Sequence, residues 1–268
     1  MFPLKTTTFP ANAAELTERL NESLRDLFNL RADPVEVLEV AYPHLATLTA
    51  SLDDAEVKGR PPEMPAVSGP ATPALTVDIF RATGSRLAVG PAAVDFVLEA
   101  TAVDLRRAPD RAGNIVLLLH DAGHGRIGIS SSTADLEALI AEVAAAEAGK
   151  HGVAVDNVQL SLASSGPRSL AAEVRLRGKK LFMSAALRIT GRVDLDEQLN
   201  ARISGLDCTG DGAIASVACG FLKPQLQQLD GRVFPLMSLP MGNVRLRDVQ
   251  IAAGERLSVS AEFGSAAG

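Results

Sequence analysis

The chain has no tryptophan, a single tyrosine and only 4% aromatic residues, although 47% of it is hydrophobic. Its interior must therefore be built mainly from Leu, Val, Ile and Ala. No apolar run approaches the roughly 20 residues that a membrane-spanning helix needs. Residues 1–10 include Lys5 but no apolar stretch of signal-peptide length. The sequence as it stands thus predicts a cytoplasmic protein, or an envelope protein if a leader has been removed. Cysteine occurs only as Cys208 and Cys219, too few for a disulfide-built secreted scaffold and without further ligands at zinc-site spacing, so two reduced structural thiols are expected. There is no excess of positive charge: the formal net charge is −6 and no basic run occurs, which excludes nucleic-acid binding through a general basic field.

What the chain has is alternation. Across 181–203 the odd positions Leu181, Met183, Ala185, Leu187, Ile189, Gly191, Val193 and Leu195 are apolar, and the even ones include Ser184, Arg188, Arg192 and Asp194. Side chains on a strand alternate between the two faces, so this is long β structure with one apolar and one polar face. Further strands are predicted near 153–163, 170–177, 233–238, 243–252 and 256–263, with a bulge where apolar parity switches between Leu246 and Val249. Ile115 to Leu119 is a continuous apolar run of the kind a buried strand shows, whereas 91–105 fits helix and strand equally. A helix is expected at 133–148, opened by Ser132 with Asp135 three residues on, and another at 211–230, striped by Ile214, Val217, Ala218, Phe221, Leu222 and Leu226 and interrupted at Pro224.

The N-terminal part reads differently. Leu16, Leu20, Leu24, Leu27 and Leu30 recur at helical steps, and Asp33-Pro34 has the form of a second helix start, so 11–52 is expected as an amphipathic helical pair. Residues 58–73 hold five prolines and two glycines. The expected organisation is a helical segment at 1–57, a Pro-rich linker at 58–73 and a strand-rich domain at 74–268. On that division a chain starting near Ala74 should fold by itself.

Chemical motifs are weak. Gly123, Gly125 and Gly128 spell a dinucleotide fingerprint, but strand residues follow where a helix must open, so a glycine-rich hairpin is expected. His120, Asp121 and His124 cannot converge on a metal from a strand and a turn. Asp194, Asp196 and Glu197 read as a solvated turn with too few oxygens for calcium. No nucleophilic elbow or Cys–His arrangement is present, and neither an enzyme activity nor a cofactor nor a metal site is expected.

The segments Gly125-Arg-Ile-Gly-Ile, Ala134-Asp-Leu-Glu-Ala-Leu-Ile, Ile189-Thr-Gly-Arg-Val-Asp-Leu-Asp, Leu206-Asp-Cys-Thr-Gly-Asp-Gly, Pro224-Gln-Leu, Gly231-Arg-Val-Phe-Pro-Leu and the strand ending at Phe263-Gly264 resemble the bacterial LmeA-type phospholipid-binding family. That family is similar to the tubular lipid-binding (TULIP) superfamily. The resemblance spans about residues 74–264 and implies an α+β fold in which a long, highly curved antiparallel sheet wraps one or two long helices and encloses lipid. The reading that joins resemblance and residues is non-enzymatic binding or transfer of a lipid or other long hydrophobic ligand. Its expected lining is Leu139, Val143, Leu160, Leu187, Ile189, Val217, Phe221, Leu257 and Val259. Transient membrane contact and a homodimer are further expectations. The alternative is a structural scaffold with a solid core that oligomerises or binds a protein partner through the N-terminal helices.

Overall fold

The computed structural model describes residues 2–59, 65–150, 153–180, 183–235 and 243–265. Residues 60–64 of the Pro-rich stretch, His151, Leu181 and the end of the strand expected at 233–238 lie outside the described residues, as do the side chains of Met183 and Ile214. Among the described residues the chain is α+β and strand-rich, with sixteen strands and three helices. The elements run β1 (Phe2–Pro3), α1 (Ala13–Leu27), β2 (Phe28–Asn29), β3 (Val35–Ala41), β4 (His44–Ser51), β5 (Glu56–Val57), β6 (Thr72–Val89), β7 (Ala92–Pro109), β8 (Ile115–Asp121) and β9 (His124–Ser132). They continue as α2 (Thr133–Gly149), β10 (Ala154–Gly166), β11 (Ser169–Lys180), β12 (Met183–Leu195), β13 (Asn200–Gly210), α3 (Ala213–Leu229), β14 (Val233–Pro235), β15 (Val244–Ala253) and β16 (Arg256–Ser265).

These strands form two large, mainly antiparallel sheets, and neither closes into a barrel. The first is eleven-stranded and follows the path β15-β16-β9-β7-β6-β4-β3, with β1, β2, β5 and β8 attached off the path. The second runs β10-β11-β12-β13-β14. It is an insertion in the chain, entered after β9 and left before β15. The stretch 91–105, ambiguous by pattern, is strand β7, paired along its length with β6.

The N-terminal segment departs from expectation. Helix α1 forms where the leucines predict it: Asn12 Oδ1 accepts the Glu15 N–H at 2.9 Å, Glu15 Oε2 accepts the Ala11 N–H, and Leu16, Leu20 and Leu24 are buried. The second helix does not form. Residues after Pro34 make the β3–β4 hairpin, turning at Tyr42-Pro43. Val35, Val37, Thr47 and Thr49 carry β-branched side chains that favour strand, and that preference together with sheet pairing outweighs the cap-like Asp33-Pro34. Asn21 of α1 accepts the Val35 N–H at 3.0 Å, and β4 lies parallel to β6, so the segment is tied into the first sheet. Leu4, Leu16, Leu20, Leu45 and Leu48 share one buried cluster with Leu75, Val77, Val103, Leu117 and Phe263. The core thus continues across the Pro-rich stretch. The lone tyrosine is used here as well: Tyr42 donates its hydroxyl to Pro10 O at 2.8 Å, and partial burial pushes its pKa up to about 12.

The glycine motif has a packing explanation. Gly125 stands opposite Phe263 in the β9–β16 register, and a Cβ there would lie 2.2 Å from the Phe263 ring and 2.6 Å from Glu99 O. Only glycine lets the ring cross the strand at this point. The bulge expected between Leu246 and Val249 is a register shift between Arg247 and Gln250, with Asp248 at φ 48°.

Helix α2 starts where the Ser132–Asp135 spacing places it. Ser132 Oγ accepts the Asp135 N–H at 3.0 Å, and Asp135 Oδ1 accepts the Ala93 N–H at 3.1 Å. The Ser132 hydroxyl, then the Ala93 amide, hold the Asp135 carboxyl below its ordinary range. The stabilisation this gives is present above the usual carboxylate pKa and is lost as pH falls through the depressed value. Ser132→Ala is expected to cost about 1 kcal/mol in denaturant unfolding. The same variant should flatten the acid limb of the stability profile, and an unchanged midpoint would show that this cap contributes nothing.

Candidate functional site

The apolar face of the second sheet is assembled rung by rung. Val158, Leu176, Leu187 and Gly210 share one rung of the register, and Leu160, Val174, Ile189 and Cys208 share the next. Farther along lie Leu162, Ala172 and Gly191, where the Leu206 side chain crosses the bare glycine, and then Leu170, Val193 and Ile203. Directly paired residues point to the same face. At its Leu170 end this face is sealed: Leu170, Leu195 and Ala201 are buried with Val249, Ile251 and Ala261 of the first sheet, and Val193, Leu257 and Val259 pack against that cluster. At the other end Val174, Leu176, Leu187 and Ile189, on the two central strands, are only half-buried.

Two helices border this half-buried end. Helix α2 runs along edge strand β10, where Glu137 Oε1 accepts the outward N–H of Leu160 at 2.7 Å. Helix α3 follows β13. Cys208 and Cys219 form a disulfide, and the Cβ that Gly210 lacks would lie 2.6 Å from the Ala215 side chain. Cys208 and Gly210 belong to the apolar face, so α3 lies over that face, from Gly210 back to Ile203, whose carbonyl accepts the Gly231 N–H. The result is a trough floored by β11 and β12, flanked by α2 and α3 and closed at one end by β15 and β16.

The disulfide corrects the expectation of two reduced thiols. Spacing alone could not reveal it, because the chain must first turn at Asp211 and Gly212 before Cys219 returns over Cys208. The bond also fixes the rotation of α3. With Ala215 and Cys219 toward the sheet, Leu222 and Leu226 follow at helical steps on the same side, and Val217 and Phe221 point away. They are 60% and 78% exposed. On α2 the Glu137 contact likewise turns Ala141, Ala144 and Ala148 toward β10 and leaves Leu139 and Val143 outward, 37% and 63% exposed.

The nine expected lining residues therefore divide. Leu160, Leu187 and Ile189 lie together on the apolar face, and Leu257 and Val259 stand at its sealed end, whereas Leu139, Val143, Val217 and Phe221 are not brought to it. Val174 and Leu176 belong to the trough and are missing from the expected set. Their alternation with Glu173, Arg175 and Arg177 was the signal, but pairing with Ile189 and Leu187 emerges only from the register.

The carboxylates among the other candidate groups accept local hydrogen bonds, Asp194 from the Ser169 hydroxyl and Glu197 from Arg168. Asp121 Oδ1 accepts the Ala122 N–H beside the β8–β9 turn. Among the described residues no three His, Cys, Asp or Glu side chains gather as a metal site. Asp196 caps the turn between β12 and β13: partial desolvation raises its pKa, but hydrogen bonds from the Asn200 side chain and from the Asn200 and Gln198 amides outweigh that and leave it lowered. No described helix is long and apolar enough to cross a membrane.

By architecture the chain is a two-sheet α+β protein with a helix-bordered apolar face. Comparison with protein-family models, with curated proteins and with solved structures finds no match.

Proposed function

We propose that the chain binds or transfers a lipid or other long hydrophobic ligand, without catalysing a reaction, in the trough between α2 and α3. The observation that carries this reading is the split character of one continuous apolar face. Its Leu170 end is buried by the protein's own strands, while Val174, Leu176, Leu187 and Ile189 retain solvent contact. An apolar strip on two central strands favours an occupant. An acyl chain laid along it would gain about 0.8 kcal/mol per methylene removed from water, so a dozen methylenes would supply about 10 kcal/mol toward an association cost of about 4–15 kcal/mol. The resemblance to LmeA-type and tubular lipid-binding proteins supports the same reading, with the refinement that α2 and α3 would border the ligand and the sheet would curve beneath it. The Cys208–Cys219 bond supports an oxidising compartment as the working site, such as a cell envelope, in place of the cytoplasm.

Ile189→Asp tests the reading. In a half-buried site the new carboxylate should cost little folding stability but abolish binding of a fluorescent phospholipid or fatty-acid analogue. Native mass spectrometry of the gently purified protein should show copurified lipid in the wild type and none in the variant. A wild-type protein that takes up no probe and carries no lipid would sink the proposal.

A second reading, a protein or membrane contact, is favoured by one observation: the outward face of α3 carries Val217 and Phe221. The scaffold alternative thereby moves from the N-terminal helix, whose leucines are spent in the core, to α3. Concentration-dependent self-association that disappears in Phe221→Ser would support it.

A further inference from the structure

The polar face of the second sheet holds a concavity of about 450 Å³ on the rungs that back the half-buried end of the trough. One rung reads Gln159, Arg175, Arg188, Thr209, and the next reads Asn157, Arg177, Ala186. All of these line the concavity, together with Leu176, Leu187, Gly210 and the acidic Asp211. Three arginine side chains thus line a small volume beside an alanine, which leaves room above the sheet. In a chain of net charge −6 this is a concentration of the minority sign.

Like charges placed directly across a strand pair repel each other and need a compensating anion. Arg175 and Arg188 are such a pair, and Glu173 compensates them: its Oε1 accepts from Arg175 Nε at 2.7 Å, and its Oε2 accepts from Arg188 Nη2. Arg177 is not compensated. Among the described residues no carboxylate pairs with it, although Asp156 next to its strand partner is taken by Lys179 at 2.9 Å. One fork of N–H donors is therefore left over, with Asn157 across the strand pair and Gln159 and Thr209 on the next rung.

We propose that this concavity binds a phosphate ester, with Arg177 as its principal ligand and Arg175 and Arg188 adding positive charge. A guanidinium fork matches two phosphate oxygens bidentately, and neutral amide and hydroxyl donors complete the shell of an oxyanion. The volume suits a small phosphorylated molecule or the headgroup of a phospholipid. The site faces the opposite side of the sheet from the trough, so it does not depend on what the trough binds.

The test uses the full chain with its disulfide intact. Glycerol 3-phosphate is titrated by calorimetry, and vesicles of phosphatidylcholine with and without phosphatidylglycerol are used in flotation. The wild type should bind one of these phosphate sources. Arg177→Gln should weaken that binding at least tenfold, and Arg177→Lys, which keeps the charge but loses the fork, by less. Arg31→Gln, on a remote surface, should change nothing. Binding of glycerol 3-phosphate would identify a soluble ester, and capture only by phosphatidylglycerol vesicles would identify a headgroup. All three variants should melt with the wild type, because none of the replaced side chains holds an ion pair. No binding from either source, or binding untouched by Arg177→Gln, overturns the proposal.

Discussion

A chain beginning at Ala74 will not fold: expressed without residues 1–73 it should be insoluble, or expanded and without cooperative unfolding when refolded. The deletion removes Leu4, Leu16, Leu20, Leu24, Val35, Leu45, Leu48 and Leu52 from the cluster they share with β6, β7 and β8. At about 1.5–3 kcal/mol for each buried aliphatic side chain, the eight contribute about 12–24 kcal/mol of burial, comparable to or larger than the roughly 5–15 kcal/mol of net stability typical of a domain. It also strips β6 of its parallel partner β4 and leaves Leu75, Val77 and Leu117 facing water. This reverses the expectation from the sequence, in which the prolines mark a boundary. A soluble truncated chain with a sharp thermal transition would show that the shared core is dispensable. Leu16→Ala gives a graded version of the experiment, with an expected cost of about 2–5 kcal/mol.

Reducing the Cys208–Cys219 bond, or replacing both residues by serine, should destabilise the second sheet by nearly as much as a large core substitution. The bond closes a loop of 11 positions, for which the loop-entropy account gives about 3 kcal/mol. In a chain of this size that corresponds to a fall in Tm of about 6–12 °C. Without the bond, α3 is held by the Ala215 seat on Gly210, by half-buried Leu222 and Leu226 and by its C-terminal hydrogen bonds to β13, so α3 should exchange amide protons faster than β11 and β12. If the trough is the binding site, probe on-rates should rise too. Identical melting curves with and without reductant would contradict the assignment.

Individual strands were legible in the sequence, and their partners were not. Period-two alternation located β10, β11, β12 and β16 because each has one face against apolar surface. It could not say that Leu187 lies beside Leu176, since that depends on the register across the β11–β12 turn. The helical faces were illegible for a different reason. Both α2 and α3 carry apolar residues nearly all round, so several stripes fit equally well, and the rotation is set by Glu137 meeting a strand edge and by Cys219 meeting Cys208. The β3–β4 hairpin was missed because Asp33-Pro34 has the local form of a helix start and the competing signal, Val and Thr seeking a sheet, needs β6 to pair with. The basic concavity was hidden because Arg175, Arg177 and Arg188 look like an ordinary solvated face until the register gathers them.

The position of β16 governs the order in which the protein can assemble during synthesis. β16 sits between β15 and β9, so the open edge of β9 has no partner until the whole inserted sheet has left the ribosome. Thr133, just past that edge, hydrogen-bonds across 121 positions to Gly254 O, which at 5–20 residues per second means a wait on the order of ten seconds. Through that interval the edge could recruit a strand from a neighbouring nascent chain. Gly125 and Gly128 weaken it as a template, because glycine offers no side chain to pack against an incoming partner. Replacing them with strand-favouring residues would therefore raise aggregation during expression, over and above any clash with Phe263 in the finished fold.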